Sequence, residues 1–162
     1  MDKKKFEIND IVSFENRIDN LAFKIANIHH ESQTDLSGEP YINHLIAVAN
    51  MVRQNTTDLR ILAVAYLHDI LEDTNIKEED LLMDFPEDVV TAVKAITKEK
   101  GEPYFDYLER VKSNEWATVV KIADLTHNSD ISRIERKLTS RDLKRLEKYK
   151  KAVNFLTDGN EK

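Results

Sequence analysis

AVAYLHDILEDT, residues Ala63–Thr74, places four ionisable side chains within six positions of an otherwise apolar run: His68, Asp69, Glu72 and Asp73. Leu62, Val64, Leu67, Ile70 and Leu71 surround them. An unpaired charge inside a buried helix is costly. Adjacent imidazole and carboxylate groups there need a partner, and a metal ion is one that takes both. On a continuous helix Glu72 follows His68 by four residues and Asp69 by three, so all three share one face. The stretch reads as the floor of a metal-dependent hydrolase site.

Working outward, Thr57-Asp58 supplies a cap for the start of this helix. Upstream, Tyr41 to Val52 reads as a helix burying Ile42, Leu45, Ile46, Val48 and Ala49, with His44 beside that stripe and Pro40 at its first position. Glu31 to Glu39 is polar and carries the loop signal Ser37-Gly38. Phe14 to His30 forms a further helical stripe through Ile18, Leu21, Ala22, Ile25 and Ile28, with His29 and His30 read as helix-end residues.

Downstream, Leu81 to Phe85 is a short apolar turn, and Val89 to Ile96 and Tyr104 to Val111 are amphipathic helices. Asn114 caps a helix running to about His127, whose apolar run Trp116, Val119, Val120, Ile122 and Ala123 leads into Asp124. The last helix starts at Ser140-Arg141-Asp142, with Leu143, Leu146, Tyr149, Val153 and Leu156 on one side and a basic opposite face. Residues past Asp158 are expected to fray. No stretch alternates as a strand does. The expectation is an all-α bundle of about seven or eight helices, one domain over 1–162 with its core at about 14–156.

Composition supports this and narrows the function. A chain of 162 residues, 41% hydrophobic and 33% charged, can bury a substantial core. A net charge of −6 argues against nucleic acid as the partner, because such binders carry a basic footprint. The absence of cysteine excludes disulfides and thiolate metal sites. No apolar run reaches membrane-spanning length. MDKKKFEIND is followed by no long apolar segment, so it is not read as a signal peptide, and a cytoplasmic location is expected.

His44, His68, Asp69 and Asp124 are the candidate metal ligands. Imidazole and carboxylate without thiolate suit Mn²⁺, Fe²⁺, Co²⁺ or Zn²⁺ better than Ca²⁺. The few remaining imidazoles favour one ion over two. Such an ion acidifies water and polarises a phosphoryl oxygen. Glu72 and Asp73 sit one turn past the ligands, where they serve chemistry. An acidic protein that takes a polyanionic substrate needs local cations, and Lys121, Arg141, Lys144 and Arg145 are the pool.

Three motifs stand in a telling order: SGEPYINH at Ser37–His44, LHDILEDT at Leu67–Thr74 and KIADLTHN at Lys121–Asn128. In this the chain resembles the HD superfamily, and more narrowly the hydrolase domain of RelA/SpoT-type enzymes and the small alarmone hydrolases. The resemblance runs over roughly Leu21 to Ile134. It implies an all-helical fold, one divalent ion, usually Mn²⁺, and removal of the 3′-diphosphate from guanosine tetra- and pentaphosphate. It also implies metal binding by His44, His68, Asp69 and Asp124. Glu72 and Asp73 match an acidic pair that handles the attacking water and its protons, and Asn128 matches a contact to the nucleotide sugar. The expected partner is therefore a small phosphorylated nucleotide, with neither nucleic acid nor membrane. Where the family usually has Arg near the nucleobase, this chain has Asp35, followed by Leu36, and Leu45 replaces the usual Pro. Asp35 can accept two hydrogen bonds from a guanine edge but cannot stack. Two alternatives accompany the leading expectation: a phosphohydrolase acting on another phosphorylated nucleotide, and a helical module that senses a nucleotide without turnover.

Overall fold

The computed structural model describes residues 17–158. The stripe residues before Arg17 and the expected fraying past Asp158 lie outside them. The centre of the fold is helix α3, Leu59–Leu67. Asp58 caps it by accepting the Arg60 amide at 3.0 Å. Apart from the exposed Arg60 in its first turn, its sequence LRILAVAYL is apolar on every side, and Leu62 to Leu67 are all buried. A helix apolar all round must be covered all round. The cover comes from α1 (Ile18–His29), α2 (Ile42–Arg53), α6 (Glu87–Ile96) and α8 (Glu115–Asn128), all packed against it.

The remaining helices are α4 (Ile70–Asp73), α5 (Glu78–Asp84), α7 (Tyr104–Lys112) and α9 (Ser140–Thr157), with a 3₁₀ turn at Ile131–Arg133. Helix α5 packs on α6, and both α7 and α9 pack on α8. An isolated bridge joins Thr34 to Pro40. The architecture is all-α, with eight helices of seven or more residues among the described residues plus the single turn α4. No described helix is long and apolar enough to cross a membrane.

Three local expectations are corrected. The helix through the HD stretch is not continuous: α3 stops at Leu67, Asp69 leaves helical geometry at φ −104° and ψ 0°, and α4 restarts at Ile70. The reason lies in His68, whose Nδ1–H donates to the Ala65 carbonyl at 2.7 Å and so serves one of the carbonyls that a helix end exposes. Because of this break His68 is buried while Glu72 and Asp73 are exposed. Pro40 is not the first residue of α2 but stands two residues ahead of Ile42, held in the bridge to Thr34. Leu143 is exposed on α9, which buries Ala152 and Leu156 instead.

Candidate active site

Three helices deliver buried polar groups to one point. His44 comes from the first turn of α2, His68 from the end of α3 and Asp124 from the buried face of α8. One ligand-type atom from each lies within 4.8 Å of the others. His44 Nε2 is 2.9 Å and His68 Nε2 3.4 Å from the same oxygen, Asp124 Oδ1. Asp69 Oδ2 is 3.0 Å from His68 Nε2 and accepts a short hydrogen bond from the Tyr41 hydroxyl.

His68 shows what this arrangement is suited to. Its Nδ1–H is committed to the Ala65 carbonyl, which leaves Nε2 as the ring nitrogen turned toward the carboxylates. That Nε2 is buried without a hydrogen-bond partner. An orphaned imidazole nitrogen beside two carboxylates fits a divalent cation. The field has the matching sign. Burial opposes a charged His68, yet Asp69 and Asp124 outweigh burial and raise its pKa well above the ordinary imidazole value.

Asp124 is tied from three sides. Lys121 Nζ donates to Oδ2 at 2.9 Å and Asn128 Nδ2 donates to Oδ1 at 3.0 Å, a spacing of three and four residues along one helix face. Burial would raise its pKa, but Lys121, His44 and His68 hold it well below the carboxylate range. Lys121 is itself largely buried. Burial would lower its pKa, and Asp124 and Tyr107 raise it instead, so it stays charged. Glu72 and Asp73 behave in the opposite way. Partial desolvation of these exposed carboxyls first, and then the Asp69 charge, pushes both above their ordinary values.

Beside the cluster lies a cleft of about 270 Å³, lined by His44 and Tyr41 and also by Asn128, Asp35, Arg133, Arg145 and Tyr149. Of the sequence-derived cations, Arg145 reaches this cleft, Lys121 is held at Asp124, and Arg141 and Lys144 stand exposed outside its lining. Asp35 is in the lining, but its carboxylate is occupied. Oδ1 accepts the Ser37 and Glu39 amides at 2.8 and 3.0 Å, and Oδ2 accepts Arg133 Nη1 at 3.1 Å.

Four residues at the site escaped sequence reasoning. Tyr41 lies three residues before His44, and His127 three after Asp124, so helical spacing from a proposed ligand marks both. His127 Nδ1 is 2.7 Å from His44 Nδ1. His30 is buried where its neighbour His29 is exposed. Its Nδ1 faces Gln33 Oε1 at 2.8 Å, and Gln33 Nε2 donates to the Asp73 carbonyl at 3.0 Å, which ties the end of α1 to the HD turn. Arg133 carries no signal in the sequence at all.

Known proteins resemble this chain. Probable GTP pyrophosphokinase of Mycobacterium leprae (strain TN) is 34% identical over 116 residues, which is 66% of this chain and 15% of that protein. The bifunctional (p)ppGpp synthase/hydrolase SpoT of Escherichia coli (strain K12) is 33% identical over 118 residues, 66% of this chain and 17% of that one. The chain spans about a sixth of the length of these curated relatives. Among solved structures, a metazoan ortholog of SpoT, described as hydrolysing ppGpp and playing a role in starvation responses, superposes with a TM-score of 0.73 at 25% identity, over 89% of this chain and 87% of its own. The sequence profile of the family described as HD domain runs over residues 22–154, through every helix that brings a side chain to the His44–His68–Asp124 cluster, and the chain belongs to that family.

Proposed function

We propose that this chain, as a single HD-type domain, hydrolyses the 3′-diphosphate of (p)ppGpp with one divalent ion, Mn²⁺, in a cytoplasmic setting. The observation that carries the metal-dependent part is His68 Nε2, buried and unpartnered beside two carboxylates. His44, His68, Asp69 and Asp124 would hold the ion. The names of the relatives, a SpoT synthase/hydrolase and a ppGpp-hydrolysing metazoan ortholog, support the substrate.

When bound, the ion supplies Lewis acidity to the reacting phosphoryl group. The remaining work falls to side chains of this chain. Water adds to the 3′-linked phosphorus, the bond from phosphorus to the ribose 3′ oxygen breaks, and pyrophosphate departs. One of Glu72 and Asp73 takes the proton of the water, and the other returns one to the 3′ oxygen. Their raised pKa values suit proton exchange nearer neutrality. Lys121 keeps Asp124 ionised and oriented, and Tyr41 does the same for Asp69. Asn128 and Arg145, both in the cleft lining, meet the sugar and a phosphate.

A second reading keeps the chemistry and changes the base, because Asp35 is committed to its own loop and to Arg133. Both are tested with Mn²⁺-loaded protein and a nucleotide panel, with products identified by mass. Pyrophosphate and GDP or GTP from (p)ppGpp are the expected products. Turnover confined to another nucleotide selects the second reading, and binding without turnover would leave only a sensing role.

A further inference from the structure

We propose that Arg133 packs its flat face against the base of the nucleotide in the cleft, and that Asp35 is the positioning residue that holds it there. This rests on the nucleotide reading above.

Arg133 ends the 3₁₀ turn that follows α8. Asp130 caps that turn by accepting the Ser132 amide at 3.0 Å and the Ser132 hydroxyl at 2.6 Å. The turn is stitched to the loop before α2, because the Ser37 hydroxyl donates to the Arg133 carbonyl at 3.1 Å. The guanidinium is then anchored at two points, Nη1 to Asp35 Oδ2 at 3.1 Å and Nη2 to the His127 carbonyl at 3.3 Å. Two anchors on a rigid planar group set its plane.

What the guanidinium has left decides what it recognises. An arginine that binds phosphate uses its donor fork. Here each Nη spends one of its two N–H groups on a protein acceptor, and the Nε–H is buried without an acceptor and closed to a ligand. Yet the side chain is 34% exposed and lines the same cleft as His44 and Asn128. With its plane set by two anchors and its Nε edge closed, the group can present its face to a ligand. A guanidinium face and an aromatic ring are surfaces that take a planar heterocycle, and Tyr149 lines the same cleft. A phosphate at the buried cluster and a sugar at Asn128 would leave the base to the rest of the lining, which includes Arg133 and Tyr149. The pairing also answers the charge problem at Asp35. With Arg133 on Oδ2 and two amides on Oδ1, the carboxylate is charge-paired and cannot offer both oxygens to the two donors of a guanine edge.

The test is calorimetric binding, so it does not depend on turnover. Guanosine 3′,5′-bisphosphate, adenosine 3′,5′-bisphosphate and ribose 3,5-bisphosphate lacking a base are titrated into Mn²⁺-loaded wild type, Arg133→Ala, Arg133→Lys and Asp35→Asn. Arg133→Ala is expected to weaken both base-bearing ligands about tenfold, the order of a single base-stacking contact, and to leave the abasic ligand unchanged. Lys lacks the planar face and should not rescue. Asp35→Asn keeps the acceptor for the two amides and loses the Arg133 pairing, so it should show the same split to a smaller degree, with Asp35→Glu restoring it. Equal losses on the abasic ligand would make Arg133 a phosphate contact, and no loss anywhere would remove it from the site. Either overturns the assignment. Wild type that binds the abasic ligand as tightly as the others overturns Arg133 alone, whereas wild type that binds none of the three overturns the nucleotide reading and Arg133 with it.

Discussion

His44 and His127, 83 residues apart in sequence, face each other through their Nδ1 atoms at 2.7 Å inside the bundle. A contact that short between two ring nitrogens holds one proton, donated by one and accepted by the other. When His44 carries it, the lone pair of His44 sits on Nε2, on the side where Asp124 Oδ1 is 2.9 Å away. His127 is suited to be the acceptor, because burial, then His44 and Arg133, lower its pKa and keep it neutral.

His127→Ala should therefore weaken divalent-ion binding without touching a ligand. Loss of an outer partner of a ligating histidine typically costs about 10- to 100-fold in affinity. Titration of the metal-stripped protein with Mn²⁺ checks this, with His68→Ala as the comparison that should abolish binding. Equal affinity in His127→Ala and wild type would make the pair a packing contact only.

Glu72→Gln should keep the metal and lose about 10²- to 10⁴-fold in kcat, the usual worth of general acid–base catalysis. The pH profile carries a signed expectation. A base works only when deprotonated, so kcat/KM falls as pH drops through the Glu72 pKa, which lies above the ordinary value of 4.5 through burial, Asp69 and Asp73. Asp73→Asn removes one of the charges that raise it. The acid limb in that variant should move to lower pH, and a limb that stays in place would take Glu72 out of the base role.

Leu67→Ala removes a fully buried side chain at the end of α3, next to His68. Such truncations cost about 2–5 kcal/mol. Because α3 touches four other helices, the site should loosen with the core. Denaturant unfolding measures the first effect, and weaker Mn²⁺ retention the second. A loss well under 1 kcal/mol would mean that α3 is not the centre of the fold.

The start of α9 is held by a capping box in which Thr139 and Asp142 satisfy each other's amides. Asp142 also accepts Arg136 at 2.6 Å and Arg145, which lines the cleft, at 2.9 Å. Thr139→Ala should cost about 1 kcal/mol. Arg136, then the Thr139 contacts, hold the Asp142 carboxyl far below its ordinary value. A depressed folded pKa stabilises fully above the unfolded carboxyl range and is lost as pH falls through the folded value. The stability difference between wild type and Asp142→Asn should accordingly be constant near neutrality and shrink below about pH 4. A gap that persists to strongly acid pH would assign it to packing.

The all-helical character, the apolar faces and the candidacy of His44, His68 and Asp124 as neighbours follow from the sequence alone. Periodicity tells which side of its own helix a residue occupies, and a buried polar residue on an apolar side has to meet something. Spacing along one helix is equally local, so Lys121, Asp124 and Asn128 could be placed on a common face. Which side chain from another helix arrives opposite is not local. The contacts of His44 with Asp124 and His127, 80 and 83 residues away, and of Asp35 with Arg133, 98 residues away, depend on how two helices cross and where a loop returns. The break at Asp69 belongs with them. Nothing in LHDILEDT forbids a helix, and at the turn His68 reaches back to Ala65 while its other nitrogen faces the Asp124 carboxylate, which only the packed bundle supplies.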